Sequence, residues 1–198
     1  MELTKVIKTM RTIDDVIGHL HYTYFVCFGM LLHLIRDGSL EDDHDIDMGL
    51  LREEDIDYDA LIRAFASNGY SVRKKVISDY SYKPFYIGLK HETLPPICLF
   101  FWQLHEGKRY HTYDINFENK EIPSEYVFKG VDAKLLDGKV YKEHFGTRKD
   151  EMFRDVIRIP QKYGSLLDAW YPNWLEQRSE QSNRDDCLMM KSCRELKW

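Results

Sequence analysis

Leu3, Val6, Ile7, Met10, Ile13, Ile17 and Leu20 recur at helical spacing, while Lys8, Asp14 and Asp15 fall off that stripe. They predict a core-facing helix. The run Tyr24-Phe25-Val26-Cys27-Phe28 is aromatic and β-branched and predicts a buried strand, stopped by Gly29. Met30 to Ile35 then predict a short helix ending near Arg36-Asp37-Gly38. Ile46, Met48 and Leu50 alternate with Asp45, Asp47 and Gly49, the period of a half-buried strand. Tyr58, Leu61, Ile62 and Phe65 predict a further amphipathic helix, closed by Asn68-Gly69.

Tyr70, Val72 and Val76 predict a strand, as do residues 85–89, 97–102 and 110–117. Residues 139–145 and 160–170 read as helical. The order implies an α+β domain, a mixed sheet flanked by helices, over residues 1–175. Residues 176–198 read as a polar C-terminal tail.

A length of 198 residues suits one domain with a real core. Apolar residues make up 43% of the chain, enough to argue against disorder. The formal net charge of -5, with acids and bases interspersed, does not favour a nucleic-acid binder. Arg73-Lys74-Lys75 reads as a solvated strand end. The chain opens directly into the amphipathic pattern, without the apolar core of a signal peptide. No window reaches the ~20 apolar residues of a membrane span. The expectation is a soluble, cytoplasmic chain. Cys27 and Cys98 sit in apolar runs and read as small buried hydrophobes. Cys187 and Cys193 read as reduced, unpaired thiols rather than zinc ligands.

Candidate chemistry concentrates in Glu41-Asp42-Asp43-His44-Asp45-Ile46-Asp47-Met48-Gly49. Positions two apart on a strand share a face, so Asp45 and Asp47 project together while Ile46 and Met48 turn to the core. Carboxylates about 6–7 Å apart by strand rise repel unless a cation sits between them. Hard oxygen ligands suit Mg²⁺ or Mn²⁺, which also bridge phosphate oxygens. Upstream, a glycine between strand and helix lets phosphate approach backbone N–H groups at the helix N-terminus. The plain alternative is a solvated acidic loop running into an edge strand.

The run from Phe28 to Gly38, followed by Asp42 to Gly49, resembles the LicD and fukutin family: a glycine, a short Leu-Leu helix, an arginine and an Asp-Ile-Asp strand. Ile159-Pro160-Gln161-Lys162-Tyr163-Gly164 and Trp170-Tyr171-Pro172-Asn173-Trp174 are similar to that family's closing pattern. The resemblance implies a nucleotidyltransferase-like fold of the polymerase β type. It implies transfer of a phospho-alcohol, such as phosphocholine or ribitol phosphate, from a CDP-linked donor to a sugar hydroxyl on a glycan. By the same resemblance Asp45 and Asp47 match the metal-binding acids, Asp43 the acid before them, Gly29 the phosphate-approach glycine and Arg36 the arginine after the helix. Arg36 equally suits a structural pairing with Asp42 or Asp43.

Two positions depart from the family pattern. Met30 replaces a hydroxyl residue after the glycine, and Cys98 stands where members often carry a third acid. Asp114 is the substitute candidate for that acid. Two alternatives follow within the same fold: a nucleotidyltransferase using a nucleoside triphosphate, or a catalytically impaired binding or scaffold domain.

Overall fold

The computed structural model describes residues 2–37, 40, 44–52, 56–77, 84–105, 108–110, 131–132, 140–142, 157–171 and 173–176. The first helix, α1 (Leu3–His19), buries Val6, Ile7, Met10, Ile13 and Ile17 of the predicted stripe, together with Val16, while Leu20 lies past its end and is partly buried. Strand β1 (Tyr24–Val26) follows, then α2 (Phe28–Asp37) and β2 (Ile46–Arg52). Helix α3 (Tyr58–Ala66) starts where the Asp57 side chain accepts the Ala60 backbone N–H at 2.8 Å. Such a cap is worth about 1 kcal/mol. The turn that follows it closes at Gly69, whose φ of 82° suits a residue without a Cβ.

Strands β3 (Ser71–Ile77), β4 (Pro84–Lys90) and β5 (Ile97–His105) come next. They are followed by β6 (Lys108–Tyr110), β7 (Val131–Asp132), β8 (Val140–Lys142), β9 (Arg158–Pro160) and helix α4 (Tyr163–Trp170).

The main sheet runs β1-β2-β5-β4-β3, with β6 extending from β5 and β7 from β6. Its β2–β5 pair is parallel and the other pairs are antiparallel. The architecture is therefore the expected α+β fold with a mixed sheet. Side-chain parity assigns the helices to faces. Phe101 on β5 meets Tyr58 of α3, with ring centroids 5.0 Å apart, and the Thr9 hydroxyl of α1 lies 3.2 Å from that of Tyr70. On the opposite face Phe28 packs on Phe100 at 4.8 Å and on Trp170 at 4.9 Å, and Trp102 stacks on Trp170 at 5.7 Å. Helices α1 and α3 thus cover one face, and α2 and α4 cover part of the other.

The structure departs from the pattern-based reading in three places. Strand β1 ends at Val26, and Phe28 opens α2 with a left-handed φ of 48°. A left-handed non-glycine residue costs roughly 1–2 kcal/mol, offset here by the burial of its ring among Phe100, Trp102 and Trp170. Residues 140–142, expected to be helical, form a strand, because Tyr141 finds a partner in Ile159 of β9. Long-range pairing outweighs local propensity there. Pro160 ends β9, and the helix expected from that position begins at Tyr163. Of the strand expected over 110–117 only Tyr110 is described, in β6; residues 111–117 and 177–198 lie outside the described residues.

A polar tie joins the two ends of the fold. The Tyr24 hydroxyl donates to the Asp14 carboxylate. Arg158 of β9 reaches the same oxygen at 3.2 Å and lies over the Tyr24 ring, 4.8 Å from its centroid. Burial, then Asp14, push the Tyr24 hydroxyl well above its ordinary range, so it remains a donor at any working pH.

Gly49 of β2 leaves room for the Phe25 ring across the β1–β2 pair. A Cβ there would stand 2.5 Å from the nearest ring carbon. Gly49→Ala is expected to lower stability by about 1–3 kcal/mol, as overpacking does. Urea unfolding measures it, and an unchanged midpoint would contradict the packing described.

Candidate active site

The parallel pairing of β2 with β5 sets Asp47 opposite Cys98, Gly49 opposite Phe100 and Leu51 opposite Trp102. Paired residues share a face, so the carboxylate and the thiol point the same way. Beyond β5, Cys98 stands opposite Gly88 of β4, and Gly88 opposite Lys74 of β3. One row across the sheet thus reads Asp47, Cys98, Gly88, Lys74.

Asp45 immediately precedes β2, and it and Asp47 are half-buried while Ile46 and Met48 are fully buried. Asp45, Asp47 and Cys98 each offer a ligand atom, and these atoms lie within 4.8 Å of one another. The Cys98 thiol donates to Asp45 Oδ2 at 3.2 Å. A thiol has one proton, so the Tyr86 hydroxyl, 3.2 Å from Cys98 Sγ, is left to donate to the sulfur. Gly88 makes this contact possible, because a Cβ there would stand 2.8 Å from the Tyr86 oxygen.

At the other end of the row the Cys27 backbone N–H donates to the Asp47 carbonyl at 3.1 Å, which brings the start of α2 beside Asp47. Burial, then the charges of Asp47 and its neighbours, push the Cys27 thiol well above its ordinary range. Burial, then Asp47 and Asp45, do the same to Cys98, with Tyr86 opposing. Without a cation, both sulfurs are held as thiols.

The structure gathers some of the expected residues and separates others. Asp45 and Asp47 come together, and Cys98, at the position where a third acid was sought, joins them. Gly29 lies in the first turn of α2, but the left-handed residue at that turn is Phe28. Arg36, in the last turn of α2, forks onto its neighbour Asp37, with Nε to Oδ1 at 2.6 Å and Nη2 to Oδ2 at 2.7 Å. That hydrogen bonding raises its pKa, and Arg36 Nη1 is buried without a hydrogen-bond partner among the described residues. Asp42, Asp43 and Asp114 lie outside the described residues. Met30, the departure after Gly29, is wholly buried and contributes to the core. His44 is exposed.

Three residues on this face carried no signal as a site in the sequence. Cys27 and Tyr86 sit in apolar runs and look like core. Lys74 was read with Arg73 and Lys75 as a solvated end. A bulge between Val72 and Lys74 leaves Arg73 and Lys75 exposed but turns Lys74, half-buried, onto the face of Cys98. Its ammonium lies 5.7 Å from the Tyr86 ring centroid.

No protein-family model matches the chain, and no curated relative matches it. A solved structure of the lincosamide antibiotic adenylyltransferase LnuA, with lincomycin bound, aligns with 94% of this chain and 96% of its own. The identity is 19% and the TM-score 0.49, a loose likeness. Among the described residues no helix is long and apolar enough to cross a membrane.

Buried, protonated thiols are poor nucleophiles. In the folded chain Cys27 and Cys98 are expected to resist iodoacetamide at mild alkaline pH, and to react readily in guanidinium. Peptide mass spectrometry reads both sites, and alkylation of folded Cys98 at the rate of a free thiol would contradict the burial described.

Proposed function

We propose that this chain is a divalent-cation-dependent transferase that moves a phosphate-linked group from a nucleotide donor to a hydroxyl. The observation that carries the reading is the convergence of Asp45, Asp47 and Cys98 on one sheet face beside the start of α2. Asp45 and Asp47 would hold the cation, and their spacing fits one. When bound, such a cation neutralises charge on the donor phosphate and polarises it toward attack.

The donor is read first as a nucleoside triphosphate and the acceptor as a small molecule. Lys74 supports this. Three strand spacings of about 4.8 Å separate its backbone from that of Asp47, and its side chain extends over the gap at Gly88. In this reading the chain of phosphates would run from the carboxylate pair toward the ammonium. The acceptor oxygen bonds to the α-phosphorus, pyrophosphate leaves with the electrons of the broken P–O bond, and the acceptor's proton goes to Asp114 in this proposal.

A second reading is phospho-alcohol transfer from a CDP-linked donor to a sugar hydroxyl on a glycan. The Phe28 to Gly49 motif, with its LicD and fukutin resemblance, favours it. There the leaving group is CMP. A divalent cation serves either reaction by its affinity for phosphate oxygen.

Incubation with divalent cations, nucleoside triphosphates or CDP-linked alcohols, and hydroxyl acceptors separates the readings: pyrophosphate marks the first and CMP the second. Asp45→Asn is expected to lower turnover by about a hundredfold or more while leaving the circular dichroism spectrum unchanged. A folded, fully active Asp45→Asn variant would overturn the assignment. So would calorimetry showing no cation-dependent binding of either donor class, the behaviour of a scaffold domain.

Lys74→Ala is expected to raise KM for a triphosphate donor more than it lowers kcat. An unchanged KM would remove Lys74 from donor binding.

A further inference from the structure

We infer that Asp45, Asp47 and Cys98 form a three-ligand site for a thiophilic divalent cation, Zn²⁺ being the fitting one, with one coordination position left open. The inference rests on the cation-binding part of the function proposed above and assigns the identity of the ion.

The geometry is the first ground. Zinc takes carboxylate oxygen at about 2.0–2.2 Å and thiolate sulfur at about 2.3 Å, so two donors on one ion stand no more than about 4.5 Å apart. The three ligand atoms here lie within 4.8 Å of one another, and Cys98 Sγ is 3.2 Å from Asp45 Oδ2, so a closure of about 1 Å in the widest pair brings them to the roughly 3.5 Å spacing of a tetrahedral site. A small opening of that hydrogen bond admits an ion. As the sulfur–metal bond forms, the thiol proton passes to solvent and the ion occupies the place the proton held.

Donor chemistry is the second ground. Mg²⁺ demands octahedral oxygen coordination and discriminates against sulfur, whereas thiolate selects zinc and its softer neighbours. On the sheet row the place beside Asp47 is filled by sulfur, and the next place, Gly88, offers no side chain. Three protein ligands with an open fourth position is the pattern of a catalytic rather than a structural zinc site.

Outer-shell support is the third. The Tyr86 hydroxyl hydrogen-bonds Cys98 Sγ, and the Gly88 gap lets it reach. Such a partner orients a ligand and tunes its donor strength. Cys98 is thereby more than a lost acid: it changes which ion the two carboxylates hold.

The test uses the full chain carrying Cys187→Ser and Cys193→Ser, stripped of metal by a chelator. Titration with Co²⁺ or Cd²⁺ is expected to produce a sulfur-to-metal charge-transfer absorption that saturates at one equivalent. Zn²⁺ should displace the probe ion, and an excess of Mg²⁺ should not. Cys98→Ser should abolish the band and weaken Zn²⁺ binding, by calorimetry, more than about tenfold, at least the lower end of what losing a ligand's supporting partner costs. Cys98→Asp should lose the band and gain Mg²⁺ binding.

The titration of the chain with Cys98 intact needs no folded Cys98 variant, and absence of the band there overturns the inference. A band that persists in a folded Cys98→Ser variant overturns it too, by assigning the sulfur to Cys27. Failure of the two proposals is distinguishable. A charge-transfer band without any transferase turnover sustains the metal site and removes the function; Mg²⁺-dependent donor binding without a band does the reverse.

Discussion

The grouping of Asp45, Asp47 and Cys98 depends on the parallel pairing of β2 with β5. The three residues sit on those two strands or immediately before them, and their mutual distances follow from one register. The apolar residues hold that register. Ile46, Met48 and Leu50 are fully buried on the face covered by α1 and α3, as are Ile97, Leu99 and Phe101. A slip of one residue would turn this set onto the opposite face and drive Asp47 into the core, so hydrophobic burial enforces the position of the carboxylates.

That enforcement creates an electrostatic tension. Two half-buried carboxylates are held beside two buried thiols, with Phe25 and Phe100 forming an apolar floor next to them. Low surrounding polarity makes like charges interact more strongly than they would in water. The ammonium on the same row belongs to Lys74, on the far strand β3. In the site proposed above, the donor set would decide the ion's character.

Much of the architecture was legible in the sequence, for identifiable reasons. The α1 stripe and the alternation around Asp45 and Asp47 are local periodicities, visible without knowing any partner. Cys98 could be noticed as the residue in an acid's place, but only the β2–β5 register shows it beside Asp47. The position of Lys74 on the face of Cys98 was hidden by the bulge near Arg73, because one extra residue switches which neighbours share its face. By simple alternation Lys74 would stand with Val72; in the sheet the two face opposite sides. Phe28 was misread because its left-handed turn is stabilised by rings remote in sequence. The β8 strand was misread because its partner β9 lies further along the chain.

Phe28 also bears on the order in which the molecule assembles. Its unfavourable backbone conformation is compensated in part by Trp170, from the last helix described, and Arg158 ties the neighbouring β9 back to Tyr24 and Asp14. Contacts between such distant segments form late, since the intervening chain must be closed before they contribute. During synthesis the turn that brings α2 beside Asp47 therefore waits for the chain's far end to emerge. A nascent or truncated chain lacking α4 would carry the acidic strand without the brace that shapes its surroundings.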